Sequence, residues 1–304
     1  MNNLKIAYGN QYLDWQLGEG HPTNPERALI ATNLLVDELG RYSIEIISPV
    51  IHEGDVARLY EVHDPAYVDD VLAGNSWEWI GTEPKLGQTA LAMFSGTARL
   101  VDMMLEDRSM RVAFNPQGAK HHAHYYNSGG FCVFNDMAYA GITFANQGLK
   151  VMYVDWDAHH GDGVEELLFD TGIPTMSIHD GTIFTGTGRK GHDLKHLAYN
   201  WALHSGAGNS EFADAMDDIK ELADSIKPDV ILLATGADAH ETDPLSSLNF
   251  TYEGYGYASS VIAEIANKYS SQVLIGGAGG YQPHTHTPAV WAQVVADIYK
   301  KVGM

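Results

Sequence analysis

The densest chemistry in this chain lies in the run Val154-Asp155-Trp156-Asp157-Ala158-His159-His160-Gly161-Asp162-Gly163. An apolar stretch, Lys150 to Val154, leads into it and reads as a buried strand. Side chains alternate faces along an extended chain, so Asp155, Asp157 and His159 are expected on one side. Two carboxylates and an imidazole at the end of a buried strand are costly to desolvate unless a cation sits among them. A metal ion is the simplest such cation. Gly161 and Gly163 then permit a sharp turn into a helix over 164–169. The bland alternative is an acidic surface turn. It is disfavoured because solvated turns do not usually follow a wholly apolar strand with two carboxylates and two histidines.

Four further features suit the same chemistry. Asp238 can join Asp157 and His159 as a third ligand, leaving room for water and substrate on a catalytic ion. A mixed oxygen and nitrogen set suits zinc, iron(II), cobalt or manganese. His121-His122 is an adjacent pair, able to supply a general base and an acid or electrostatic partner. Asp155 and Asp162 are natural carboxylate partners for the two imidazoles. Tyr281 follows a glycine-rich turn and can donate a hydrogen bond to a developing oxyanion. Together these parts describe metal-assisted hydrolysis. Each alone is weak: a His-His pair is more often structural, a glycine-tyrosine pair is common, and Asp238 could be a helix N-cap.

The elements needed to gather these residues are legible as strands alternating with helices. Strands are expected at Leu4–Tyr8, Ile44–Ser48, Arg111–Asn115, Lys150–Asp157, Thr175–His179, Val230–Gly236 and Gln272–Gly276. Helices are expected at Pro25–Leu39, Gln88–Glu106, Asn135–Asn146, Ser210–Ile226, Tyr252–Tyr269 and Pro288–Val302. The alternation predicts an α/β fold over residues 1–304: one domain, a three-layer sandwich with a mostly parallel central sheet and helices on both faces. Ligands of such sheets sit beyond the carboxyl ends of the strands. His121 and His122 follow the third expected strand, the Asp/Asp/His run the fourth, Asp238 the sixth, and Tyr281 the seventh. That convergence carries more weight than any one motif.

Composition sets limits around this reading. With 304 residues and 45% hydrophobic content, the chain can bury one large core. No stretch has membrane-spanning length without charge or glycine, and the amino terminus lacks signal-peptide anatomy. One cysteine, Cys132, excludes an intrachain disulfide and agrees with a cytoplasmic location. A net charge of −21 argues against nucleic-acid binding through phosphates; it favours cationic ligands or none in particular, and on charge alone plain solubility is the better reading. Oligomeric state is not legible.

Longer stretches carry a resemblance. They are Gly20-His-Pro-Thr-Asn-Pro-Glu-Arg27, His63-Asp-Pro-Ala-Tyr-Val68, Asn115-Pro-Gln-Gly-Ala-Lys-His-His-Ala123, Gly130-Phe-Cys-Val-Phe-Asn-Asp136, Val154–Gly163, Ser177-Ile-His179 with Gly186-Thr-Gly188, Gly236-Ala-Asp-Ala-His240 with Asp243-Pro-Leu245, and Gly279-Gly-Tyr281. On them the chain resembles the zinc-dependent histone deacetylase family, and most of all its bacterial acetoin-utilisation branch. The resemblance implies the arginase/deacetylase fold. It implies one zinc ion on Asp157, His159 and Asp238. It implies a His121/His122 dyad backed by Asp155 and Asp162, with Tyr281 as oxyanion donor. It implies Gly130 and Phe131 as walls of an acyl-lysine tunnel. It also implies a structural potassium ion held by Asp155, Asp157, Ser177 and the carbonyls of His159 and Ile178. The reaction implied is hydrolysis of an N-acetyl amide to acetate and free amine, acting on acetyl-lysine of proteins or peptides.

The chain departs from the family at Phe184-Thr-Gly-Thr-Gly188, at Asn200-Trp-Ala-Leu203, and at the rim, where Glu83 stands for a family aspartate that binds the substrate backbone. Tyr125-Tyr126 and Trp77-Glu-Trp79 are expected to shape the entrance or simply to pack. The competing readings are a deacetylase of small acetylated amines such as acetylpolyamines, an arginase-like ureohydrolase, and a non-catalytic binding protein. The ureohydrolase leaves the His-His and Gly-Gly-Tyr elements unexplained, and a binding protein leaves the intact set of ligands, dyad and tyrosine unexplained.

Overall fold

A strand buried at every position can only be placed between two layers, and the central strands here are of that kind. In the computed structural model, which describes residues 3–18, 20–75 and 85–302, β1 (Leu4–Ala7), β2 (Ile44–Ile47), β3 (Val112–Asn115), β4 (Val151–Asp155), β5 (Thr175–Asp180), β6 (Ala198–Leu203), β7 (Val230–Thr235) and β8 (Gln272–Gly277) form one sheet. The order is β2-β1-β3-β8-β7-β4-β5-β6. Every pair of neighbours is parallel.

Parallel neighbours need crossovers, and helices supply them. They are α1 (Glu26–Leu39), α2 (Asp55–Leu59), α3 (Pro65–Leu72), α4 (Lys85–Glu106), α5 (Asp136–Asn146), α6 (Asp162–Leu168), α7 (Asn209–Ile226), α8 (Tyr252–Tyr269) and α9 (His286–Val302). The pleat sorts the core into two. Met152, Val154, Ile231, Leu233, Val273 and Ile275 pack with α1, α7, α8 and α9. Val151, Tyr153, Leu232, Ala234 and Leu274 pack with α3 to α6. The three-layer α/β architecture expected from the alternation is present, with its sheet wholly parallel among the described residues. No helix among them is long and apolar enough to cross a membrane.

Local chemistry fixes the helix starts nearest the site. The Asn135 side chain accepts from the Ala138 amide at 3.0 Å and caps α5. Asp64 caps α3 by accepting from Ala66 and Tyr67, with Pro65 at the first helical position. The short α2 and α3 and the edge strand β6 fall outside the sequence expectations. β6 buries only Ala198 and Asn200 at the rim of the sheet, so it lacks the apolar run of a central strand. A second difference concerns β4, which ends at Asp155 and not at Asp157.

Candidate active site

Strand alternation does not carry Asp157 and His159 to the face of Asp155. Two successive side-chain turns do. Asp155 Oδ1 accepts from the Asp157 amide at 2.9 Å, and Asp157 Oδ1 accepts from the His159 amide at 2.9 Å. Each is the local bond that aspartate makes two residues onward. Trp156, between them, turns into the opposite core, where its indole donates to Thr235 Oγ1 at 3.0 Å. From β7, Asp238 reaches the same point and accepts from the Ala158 amide at 2.9 Å.

Asp157, His159 and Asp238 thus meet in a buried cluster, each with a ligand atom within 4.8 Å of the others. His159 Nδ1 lies 3.1 Å from Asp157 Oδ1 and 2.9 Å from Asp238 Oδ2. Burial and the neighbouring Asp157 charge push the Asp238 carboxyl up to about 7. Two carboxylates crowded in this way call for a cation. The backbone leaves space for one: a Cβ on Gly279 would stand 2.1 Å from Asp238 Oδ2 and 2.5 Å from Asp157 Oδ2. Two carboxylates and one imidazole fit a divalent transition metal such as zinc.

The histidine pair is placed by β3 and the start of α5. Asn115, at the end of β3, accepts from the Gln117 amide at 3.0 Å and turns the chain. Asp136 then accepts from the Ala119 and Lys120 amides at 3.1 and 2.9 Å, pinning the backbone just before the pair. His121 Nδ1 lies 2.8 Å from Asp155 Oδ2, and His122 Nδ1 lies 2.7 Å from Asp162 Oδ1. The rings face each other with centroids 3.9 Å apart. Their environments differ. Burial opposes charge on His121, but Asp155 and Asp157 outweigh it and hold its pKa up at about 9. Burial and the charge on His121 hold His122 down at about 4, against the pull of Asp162.

Tyr281 completes the constellation from the turn after β8. Its amide donates to Asp243 Oδ2 at 2.7 Å, and Arg27 from α1 donates to the Gly280 carbonyl at 2.8 Å. Burial and the charges of Asp238 and Asp157 raise the phenol well above its usual pKa, so it stays a donor at neutral pH. His122, His159 and Tyr281 line one cavity of about 430 Å³, walled by Phe131, Phe184, Ile183 and Leu245. Gly130 (φ +50°) lies against His122, and a Cβ there would stand 2.2 Å from the ring.

The histone deacetylase domain matches residues 21–298. The chain belongs to the histone deacetylase family. It is 29% identical over 320 residues to the acetoin utilization protein AcuC of Bacillus subtilis, covering 97% of this chain and 81% of that protein. It is 26% identical over 312 residues to AcuC of Staphylococcus aureus strain Mu50, covering 95% and 79%. It is 28% identical over 301 residues to histone deacetylase HDAC1 of Drosophila melanogaster, covering 90% and 56%. The fold is therefore the arginase/deacetylase fold, and the membership supports deacetylase chemistry, the hydrolysis of an acyl amide.

Of the residues singled out in sequence, the dyad, its two aspartates, the three candidate ligands, Gly130, Phe131 and Tyr281 surround this one site. Ser177 stands opposite Asp155 on β5, and its hydroxyl lies 3.0 Å from His179 Nδ1. Ile178 is buried in the core. Glu83, Trp77 and Trp79 lie outside the described residues. Tyr126 lines a separate groove with Asp64 and Asp70, away from the mouth. Sequence reasoning gave no role to Asp243 and Arg27, which hold the Tyr281 turn, or to Lys120. The signals were present, since Asp243 and Arg27 fall within the stretches that carry the resemblance.

Proposed function

We propose that this protein hydrolyses the acyl amide of an acetylated lysine in a protein or peptide, with one zinc ion per chain on Asp157, His159 and Asp238. The observation that carries the reading is one cavity lined by His122, His159 and Tyr281, with Asp157 and Asp238 beneath it. An ion there supplies Lewis acidity toward the acyl oxygen and lowers the pKa of water. The chain's own groups do the rest. Asp162 occupies His122 Nδ1, so Nε2 is the nitrogen that takes a proton from water and returns it to the leaving amine. His121 lines the inner side of the dyad but not the mouth cavity. With Asp155 at 2.8 Å and Asp157 at 3.8 Å, it acts as a fixed positive charge. Tyr281 donates to the oxygen as negative charge develops on it. The four apolar wall residues hold an alkyl chain and exclude water.

The potassium ion belongs to the same reading, on Asp155, Asp157, Ser177 and the carbonyls of His159 and Ile178. The facing positions of Asp155 and Ser177 support it. A cytoplasmic location is also part of this reading, and the lone Cys132 agrees with it. The net charge of −21 favours a second reading, a small polycationic substrate such as an acetylpolyamine. Elemental analysis paired with turnover of an acetyl-lysine peptide and an acetylpolyamine tests both. One zinc with peptide turnover is expected. Polyamine turnover alone moves the function to small amines, and two manganese ions with no deacylation overturn the reading.

A further inference from the structure

The chain carries −21 overall, yet one side of the mouth has the opposite sign. The loop between β5 and β6 holds Arg189, Lys190 and Lys195, three of the chain's 18 lysines and arginines within a few residues of one another. All three are exposed. Elsewhere Lys85, Lys220, Lys268 and Lys300 each meet a carboxylate. Arg189, Lys190 and Lys195 meet none among the described residues. The carboxylate within the loop, Asp193, is taken up locally. Its Oδ2 lies 2.8 Å from His196 Nδ1, and its Oδ1 accepts from the Lys195 amide at 3.1 Å.

The loop is seated on the site. Arg189 donates to the Ile183 carbonyl at 3.3 Å, and Ile183 and Phe184 wall the mouth cavity. Thr187 Oγ1 lies 2.8 Å from the Nδ1 of His160, the residue next to His159. A Cβ on Gly188 would stand 2.7 Å from the His179 ring and 2.8 Å from the His160 ring. The Asn200 amide of β6 donates to His192 Nδ1 at 2.9 Å. A loop held at this many points needs little further ordering to meet a ligand.

Unpaired exposed cations act outward. Within a Debye length of about 8–10 Å they attract carboxylates and repel ammonium groups that approach the mouth. An acyl-lysine is itself neutral, so the residues that flank it decide what this edge meets. A flanking carboxylate takes charge-assisted bonds from the lysines and a forked pair from the guanidinium, which uses one nitrogen on Ile183. A small polycation meets like charge here, whatever the sign of the whole chain.

We propose that Arg189, Lys190 and Lys195 form a cationic rim that selects acyl-lysine segments flanked by aspartate or glutamate. The inference rests on the amide-hydrolase reading above and narrows its substrate to acidic peptides and protein segments.

The test uses three peptides built around one acetyl-lysine, with aspartate, alanine or lysine on either side of it. It compares the zinc-loaded wild type with Arg189→Gln/Lys190→Gln/Lys195→Gln and with Lys190→Glu/Lys195→Glu, which keeps the Arg189 bond to the wall. Exposed charge pairs are individually weak, so wild-type kcat/KM is expected to favour the aspartate peptide over alanine by about threefold to tenfold, with lysine last. The preference should lie mainly in KM and fall below about twofold in about 0.5 M salt. The triple variant should lose it, and Lys190→Glu/Lys195→Glu should turn it toward the lysine peptide, a reversal that loosened packing does not produce. A wild type without the preference, or a preference that the triple variant keeps, overturns the proposal. If wild type cleaves none of the three, the hydrolase reading fails. Calorimetric binding of the aspartate peptide then decides the rim: equal affinity for wild type and triple variant overturns it.

Discussion

Two buried clusters sit back to back across the turn that carries Tyr281, and they are opposites. On one side Asp157, Asp238 and His159 crowd acceptors together around a gap that suits a cation. On the other, Arg27 is held by the Gly280 carbonyl at 2.8 Å and lies over the Trp291 ring, while Lys120 has one long bond, to Gln117 Oε1 at 3.4 Å. An ordinary core does neither, because buried polar groups are normally paired. The surplus of acceptors around Asp157 and Asp238 therefore names the charge of what belongs there. A third buried group shows the ordinary case. His63 donates from Nδ1 to the His124 carbonyl at 2.8 Å and accepts at Nε2 from the Asn135 amide at 2.8 Å. It is a neutral brace behind the dyad loop, with nothing left over.

Breaking the acceptor side should have the largest effect. Asp238→Ala is expected to lose the ion and at least about a thousandfold in turnover, by removal of both Lewis acidity and a ligand. Elemental analysis beside a deacylation assay checks it, and full metal content would remove Asp238 from the ligand set. Tyr281→Phe leaves the acceptor cluster intact. It should keep its metal and its fold while kcat falls by about a hundred- to a thousandfold; unchanged turnover would take Tyr281 out of the mechanism.

The neutral brace calibrates both. Burial holds His63 at about 4 in the fold, against 6.5 for a free ring. A base with a depressed folded pKa leaves stability full above pH 6.5 and erodes it as the pH falls toward 4. The loss reaches about 3 kcal/mol. Denaturant unfolding at several pH values should show that loss in wild type and its absence in His63→Gln; parallel profiles would mean the ring is charged in the fold.

The smallest effect sharpens the donor side. A buried lysine with one long bond destabilises the fold, so Lys120→Met should raise stability by about 1–2 kcal/mol. That corresponds to roughly 2–4 °C in melting temperature. A variant that melts lower would mean that Lys120 is already compensated.

Residues whose roles follow from position along a strand were legible, and those whose roles follow from direction were not. The central strands announce themselves as apolar runs, and β3, β4, β7 and β8 deliver His121, His122, Asp157, His159, Asp238 and Tyr281 to one edge. Lys120 adjoins the dyad in sequence, yet nothing in its neighbours says that its side chain turns inward to a cavity shared with α1. That follows from Asp136 gripping its amide from the start of α5. The gathering of Asp157 and His159 was expected for the wrong reason. The periodicity of an extended chain stops at Asp155, where side-chain bonds take over. The edge strand β6 was hidden because half its residues face water and its pattern is neither apolar nor cleanly alternating.

The order of the sheet has one more consequence. β4 and β7 lie side by side, yet the chain between them travels out through β5, β6 and α7 before it returns. The bond between His159 and Asp238 closes that excursion across 79 residues. An ion held between the two therefore acts as a removable cross-link over a long loop, much as a disulfide would. Its affinity is tied to the folding of half the sheet, so chelation should loosen the β5–β6 edge before the β1–β3 side.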